Sequence, residues 1–356
     1  ESARALSFVQ KAFELAEKLG NPEILAECYN NLGVLSGKSG EIEKEMRYWE
    51  QGLKIAVENN CTKPALRLYN NLVLHHWWTG EFQKAFDTAQ KGFELAKKVG
   101  DLRYTSTIGL EVAVCYACMG ELQKCFSMME ELLALDKRTR NTVHIAIMMS
   151  WFGISYQWLG EWDKSLQYRM EALDIAKKIG EYQTYGGVVS GLGELFMEME
   201  DYTEAEKYFK ESNSIYEKAG DTDAQHTKTF PALARLYLKK GEIEKARELI
   251  EKTYEYAAET KSRLYIADAE MLKAMLFREQ KNWEQSIQHF EKSLQGYKSL
   301  NLQKRWVQKF AEFLYEYGLM YLERNEEGDK EKAYSLLDQA LEIYKKIDAK
   351  KKIEQI

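Results

Sequence analysis

Residues 152–180, FGISYQWLGEWDKSLQYRMEALDIAKKIG, hold two helix-length runs separated by Leu159-Gly160-Glu161 and closed by Ile179-Gly180. In the second run Leu166, Met170, Leu173 and Ile175 recur at helical spacing and present one apolar stripe. Glycine after a helix accepts the left-handed conformation that closes its C-terminus, and the acid that follows suits the positive N-terminal end of the next helix. With so short a connection the two helices must lie antiparallel.

The same punctuation recurs outward from this stretch in steps of 40: Gly40-Glu41, Gly80-Glu81, Gly120-Glu121 and Gly160-Glu161, then Glu200-Asp201, Gly241-Glu242, Lys281-Asn282 and Gly328-Asp329. A second series falls midway, at Leu19-Gly20, Asn59-Asn60, Val99-Gly100, Ile179-Gly180, Ala219-Gly220 and Leu300-Asn301. Asn21-Pro22-Glu23 is a helix start, with a capping Asn, Pro at the first helical position and an acid in the first turn. A fixed period decides the fold of the entire chain, and here it predicts an all-α superhelical solenoid of about eight hairpins plus an N-terminal helix. The expected repeats are 21–60, 61–100, 101–140, 141–180, 181–220, 221–261, 262–301 and 302–348.

Residues 1–20 read as the second helix of an incomplete first hairpin, because the face from Ala5 to Leu19 is apolar and seeks a partner. The expectation is therefore a module of a larger regulator. Glu200 and Lys281 replace the turn glycine, so those turns are expected to close differently, and Asn325-Glu326-Glu327 lengthens the final one.

Composition agrees. The 356 residues are 45% hydrophobic and 30% charged with three prolines, which suits long amphipathic helices and opposes disorder. The 50 basic and 56 acidic residues interleave to a net charge of -6, which gives no electrostatic reason to expect nucleic acid or an anionic membrane. No apolar run approaches the roughly 20 residues that span a bilayer. Five cysteines, an odd number, imply a reducing, cytoplasmic setting rather than a disulfide framework.

A small residue in the first helix, a Gly-acid turn and small residues in the second recur as Leu32-Gly33, Gly40-Glu41 and Gly52-Leu53, and as Gly80-Glu81-Phe82 with Ala85 and Ala89. They return as Phe152-Gly153, Tyr156, Gly160-Glu161-Trp162 and Ala172-Leu173, as Leu192-Gly193, Phe196, Asp201-Tyr202 and Ala205, and as Gly318, Tyr321, Gly328-Asp329, Ala333 and Ala340-Leu341. This pattern resembles the tetratricopeptide repeat. The long period and the closing stretch from Ala340 through Lys351 are similar to the C-terminal sensor regions of STAND-type ATPases and maltose-operon-activator-like signalling proteins.

The resemblance implies that the first helix of each hairpin lines a concave side, and it places the inward positions relative to each turn. These are Asn30, Asn31 and Val34 in one repeat, and Asn70, Asn71, Leu74, Trp77 and Trp78 in the next. Further along they are Leu110 and Val114, then Ser150, Ile154, Gln157 and Trp158 with Ile147 and Trp151 adjacent, and in the C-terminal half the charged Glu194, Lys228, Arg235 and Lys239. Aromatic side chains beside amides suit a protein or peptide in the groove, since Trp buries large area at low entropic cost and Asn can hold a backbone. Val34 and Leu74 stand where the basic clamp of chaperone-binding relatives is polar, so that clamp is not expected. The alternative is a small-molecule inducer sensor, for example for a sugar, which would stack on Trp. A homodimer is left open.

No catalytic, metal or cofactor constellation is complete, so an enzyme is not expected. Cys115 and Cys118, with Cys125 nearby, lack a second pair at zinc spacing and lie in an apolar context. His75 and His76 point about 100° apart on a helix and do not share an ion easily. Gly186, Gly187, Gly191 and Gly193 lack the Lys-Ser/Thr and preceding strand of a phosphate loop. Each costs roughly 1 kcal/mol in a helix, so close packing, a hinge or a ligand lying against the backbone must compensate.

Overall fold

The computed structural model describes residues 2–356, the side chains of Ser2, Ala3 and Ala5 excepted. Glu1 and the Ala5 end of the predicted apolar face lie outside the described residues. Among the described residues every regular element is helical. The helix α1 (Ser2–Leu19) precedes α2 (Pro22–Lys38) and α3 (Ile42–Glu58), α4 (Thr62–Thr79) and α5 (Phe82–Val99), and α6 (Leu102–Cys118) and α7 (Leu122–Thr139). Then come α8 (Thr142–Trp158) with α9 (Trp162–Ile179), and α10 (Tyr182–Glu198) with α11 (Tyr202–Ala219). The next first helix is broken into α12 (Thr222–Ala224), a π-helical turn Gln225–Thr229 and α13 (Phe230–Lys239), paired with α14 (Ile243–Thr260). The series ends with α15 (Arg263–Glu279) and α16 (Trp283–Ser299), α17 (Leu302–Arg305), α18 (Val307–Arg324) and α19 (Asp329–Lys346), and α20 (Lys350–Gln355). No helix among them is long and apolar enough to cross a membrane.

Small residues set the spacing inside each hairpin. A Cβ on Gly153 would stand 2.6 Å from Arg169 Cγ, and one on Gly52 2.9 Å from Tyr29 Cβ, so neither position accepts a larger side chain without displacing its neighbour. Between hairpins the gaps are filled by fully buried aromatics such as Phe290 and Tyr297, whose rings lie 5.9 and 5.3 Å from that of Phe313.

Glu200 and Lys281 do not close their turns differently, contrary to the sequence expectation. Both take the left-handed conformation, φ 62° and 57°, that Gly120 takes at 80°. The closing bonds are the same too: Asp201 N donates to Phe196 O at 2.9 Å and Asn282 N to Phe277 O at 2.9 Å, as Glu121 N does to Tyr116 O at 2.8 Å. Satisfying the helix-end carbonyls outweighs the roughly 1 kcal/mol of left-handed strain. The final turn does differ: Asn325 and Gly328 both have positive φ, and Arg324 grips Asp329 through Nε at 2.8 Å.

The helices form two compact units, one ending at Val112 and one running from Ala113 to Ile356. In the first, contacts join neighbouring hairpins; in the second, the C-terminal helices also return to the beginning of the unit. Gln308 Nε2 donates to Ala117 O at 2.7 Å, and Arg305 Nη1 lies 3.2 Å from Met119 Sδ. The Gly120 turn is covered by Ile347 and Val307, and the Gly160 turn by Lys351, whose Nζ lies 5.6 Å over the Trp162 ring. Lys352 Nζ approaches Glu198 Oε1 at 3.6 Å. This second unit is closed on itself.

Candidate ligand-binding surface

In the first unit the amides sort into two groups. Asn30, buried on α2, accepts at Oδ1 from Asn71 Nδ2 on α4 at 2.8 Å, while its main-chain oxygen accepts from Trp49 Nε1 at 3.0 Å. This pair ties two hairpins together. Asn31 and Leu74 are exposed, and Asn70, Trp77 and Trp78 half-buried, with the Trp77 ring edge-on to Phe82 at 5.2 Å. His75 and His76 turn to different partners, Glu45 Oε2 at 3.1 Å and Glu81 Oε2 at 2.9 Å.

In the second unit Ser150, Ile154 and Trp158 recur every four residues along α8, with Trp151 beside them, and all four are half-buried. Farther along, the first helices of several hairpins meet through charges. Arg235 on α13 reaches Glu312 Oε1 on α18 at 2.8 Å and Glu194 Oε1 on α10 at 3.8 Å. Lys309 Nζ on α18 pairs with Asp268 Oδ2 on α15 at 3.0 Å, and Tyr297 OH donates to Asp268 Oδ1. Desolvation opposes the Arg235 charge, but Glu312 and Glu194 outweigh it and hold its pKa above the ordinary arginine value. At Glu312 desolvation is outweighed in turn by Arg235 and by Lys352, Lys309 and Lys239, which hold the carboxyl below its ordinary range. The arrangement can hold a polar chain between fixed charges of both signs.

Among the predicted positions, the structure brings Asn30 to Asn71 and groups the four α8 residues. It pairs Arg235 with Glu312, which turn-relative counting had not reached, beside the Lys309–Asp268 pair. Glu312, Lys309 and Asp268 lie thirteen or more residues before their turns, farther back than the offsets of three to ten that the repeat pattern supplied. Pro231 was the visible signal for the break before α13: it lacks an N–H, and Phe230 N bonds instead to Gln225 O, five residues back.

The four glycines of α10 also separate. A Cβ at Gly186 would fall 2.6 Å from Tyr216 Cζ and one at Gly193 2.6 Å from Phe209 Cδ1, while one at Gly191 would collide with Arg169 Nη1. Close packing thus accounts for three of them. Arg169 itself is fully buried without a carboxylate, held by Gln157 Oε1 at 2.5 Å and Ser165 Oγ at 3.3 Å, and desolvation pushes its pKa down to about 10. Cys115, Cys118 and Cys125 are buried, and no group of three or more His, Cys, Asp or Glu side chains among the described residues could hold a metal ion.

Residues 182–259 and 232–301 match two tetratricopeptide-repeat family models. Residues 182–301 thus carry tetratricopeptide repeats, within a chain whose described residues form an all-helical repeat array. Among solved structures, a Rap protein complexed with the competence and sporulation factor matches with a TM-score of 0.68 at 17% identity, covering 98% of each chain. The Rap conjugation gene regulator of plasmid pLS20, in complex with a Phr peptide, matches with a TM-score of 0.68 at 13% identity over 97% of this chain and 96% of that one. A STAND protein with a tetratricopeptide repeat sensor from Pyrococcus horikoshii matches at 0.53 and 16% identity, covering 97% of this chain, which spans only 52% of that protein. At these identities the likeness is one of fold. No curated protein matches the sequence.

Proposed function

We propose that the chain is a non-catalytic peptide-binding scaffold or sensor of a signalling system, taking an extended peptide on the concave face of the Ala113–Ile356 unit. The observation that carries this is Arg235 held between carboxylates of two other helices, with half-buried Trp151, Ile154 and Trp158 offered on α8 of the same unit. Fixed charges orient a peptide, and aromatic side chains supply area at low entropic cost. A Rap structure of the same fold is a complex with a Phr peptide, and another is a complex with the competence and sporulation factor, which supports the reading. In the first unit Asn31, Asn70 and Leu74 are the groups offered for further contacts. The five free cysteines favour a reducing cytoplasm.

Equilibrium dialysis against a pool of short random peptides, read by mass spectrometry, tests it. A subset of peptides should be retained by the wild type, and Arg235→Ala with Trp158→Ala should lower retention about tenfold, the effect of losing one charged contact. Retention no better than that of an inert protein, with a small molecule copurifying instead, would sink the peptide reading and favour an inducer sensor.

A further inference from the structure

Glycine inside a helix costs roughly 1 kcal/mol relative to alanine, and packing explains that cost at Gly186, Gly191 and Gly193. It does not at Gly187. A Cβ there would meet only the Tyr216 hydroxyl, at an ordinary 3.8 Å. The position is half-buried, so a strip of bare helix backbone is left beside that hydroxyl.

Tyr216 is itself fully buried, and its hydroxyl has no hydrogen-bond partner. A buried donor left unmade costs about 1–3 kcal/mol and calls for an explanation. Over the same ring, 5.7 Å from its centroid, stands the ammonium of Lys228, carried on the π-helical turn that Pro231 imposes. Widened turns of this kind are frequent at functional sites. Lys228 is exposed and forms no ion pair among the described residues. The carboxylates that act on it are engaged elsewhere: Asp221 Oδ1 accepts from Ala224 N at 2.9 Å, and Glu181 accepts from Gln183 N at 2.9 Å and Thr184 N at 2.7 Å. Bare backbone, an orphan hydroxyl and an unneutralised cation thus meet at one place.

We propose that Gly187, Tyr216 and Lys228 form a carboxylate-binding notch, an inference that rests on the peptide-binding reading of this unit. Lys228 Nζ donates a charge-assisted bond to one carboxylate oxygen, and the ligand supplies the acceptor that the Tyr216 hydroxyl lacks. The ligand's main chain lies against Gly187, where any side chain would hold it off. One cation and one hydroxyl suit a singly charged, two-oxygen group. The acids Glu181 and Asp221 close by repel a phosphate dianion. The ligand is therefore a peptide with a free C-terminus or an acidic side chain.

Three pools of short peptides separate these cases: free C-terminus without Asp or Glu, amidated with one Asp or Glu, and amidated without either. The wild type should retain one of the first two about tenfold better than the third, and which one identifies the source of the carboxylate. Lys228→Gln should bring that preference near unity and Lys228→Arg restore part of it. Gly187→Ala should weaken retention of the favoured pool while raising the melting temperature, since its Cβ meets no obstruction and alanine is the better helix former. Equal retention of all three pools by the wild type, or a preference that survives both Lys228→Gln and Gly187→Ala, would overturn the notch and leave peptide binding standing. Retention of no pool at all would overturn both.

Discussion

The two units are built from the same hairpin but bound together differently. In the unit ending at Val112 the side-chain bonds between hairpins are local: Asn71 reaches Asn30 and Arg67 reaches Glu27, 41 and 40 residues away. In the unit from Ala113, Gln308 reaches Ala117 across 191 residues and Arg235 reaches Glu312 across 77. A solenoid with nearest-neighbour contacts gains stability repeat by repeat, whereas long-range contacts make distant repeats depend on one another. The first unit should therefore fray, and the second should open as a whole.

The largest break is expected at Glu316. Its carboxylate lies 2.7 Å from Arg278 Nη1, and both side chains are only 7% exposed. Glu316→Ala should destabilise the second unit by about 3 kcal/mol, because it leaves a buried guanidinium short of its main partner. The comparable first-unit pair, Arg67 with Glu27, is 49% and 28% exposed, and Glu27→Ala should cost less than about 1 kcal/mol. Hydrogen exchange followed peptide by peptide measures both, and equal costs would erase the distinction.

A matched pair of turn glycines gives a smaller difference. Gly100 and Gly120 have φ of 71° and 80°, but a Cβ on Gly100 would meet nothing, whereas one on Gly120 would press on Ile347 at 2.6 Å. Gly100→Ala should cost about 1 kcal/mol of conformational strain. Gly120→Ala should cost about 2–3 kcal/mol and raise exchange at residues 347–352 as well, since overpacking adds to that strain. Urea unfolding midpoints of the two variants, with exchange maps, decide the matter.

Acid should separate the units most gently. Burial pushes His76 below the ordinary histidine value of 6.5 despite the pull of Glu81. The unfolded chain therefore protonates first, and the first unit loses stability as pH falls below about 6.5. In the second unit, hydrogen bonds from Lys210 and Lys240 push Glu206 down to about 2 from 4.5. Its contribution is whole above 4.5 and is lost as pH falls toward 2. Limited proteolysis between pH 7.5 and 5.5 should show new cleavage in the first unit before the second, and His76→Phe should remove that early sensitivity.

Sequence made the hairpins legible because each turn carries its own chemistry, a left-handed residue followed by an acid. It misled at Glu200 and Lys281, where glycine's absence was read as a different turn although helix-end bonding holds the same one. Closure of the second unit was not legible, because a period describes neighbours and Gln308 with Ala117 are not neighbours. Arg235 was visible by position, but its partner Glu312 lies farther from its turn than the repeat pattern's offsets reach. The four glycines of α10 looked alike on the page. Only the atoms opposite each one, rings at Gly186 and Gly193 and a guanidinium at Gly191, set Gly187 apart.

The bond between Gln308 and Ala117 also has a meaning in time. A ribosome adds about 5–20 residues per second, so the two partners, 191 residues apart, emerge roughly 10–40 seconds from one another. Through that interval the nascent second unit lacks its closing contacts and its inner wall faces solvent. The Gly120 and Gly160 turns stay uncovered until Val307, Ile347 and Lys351 have emerged.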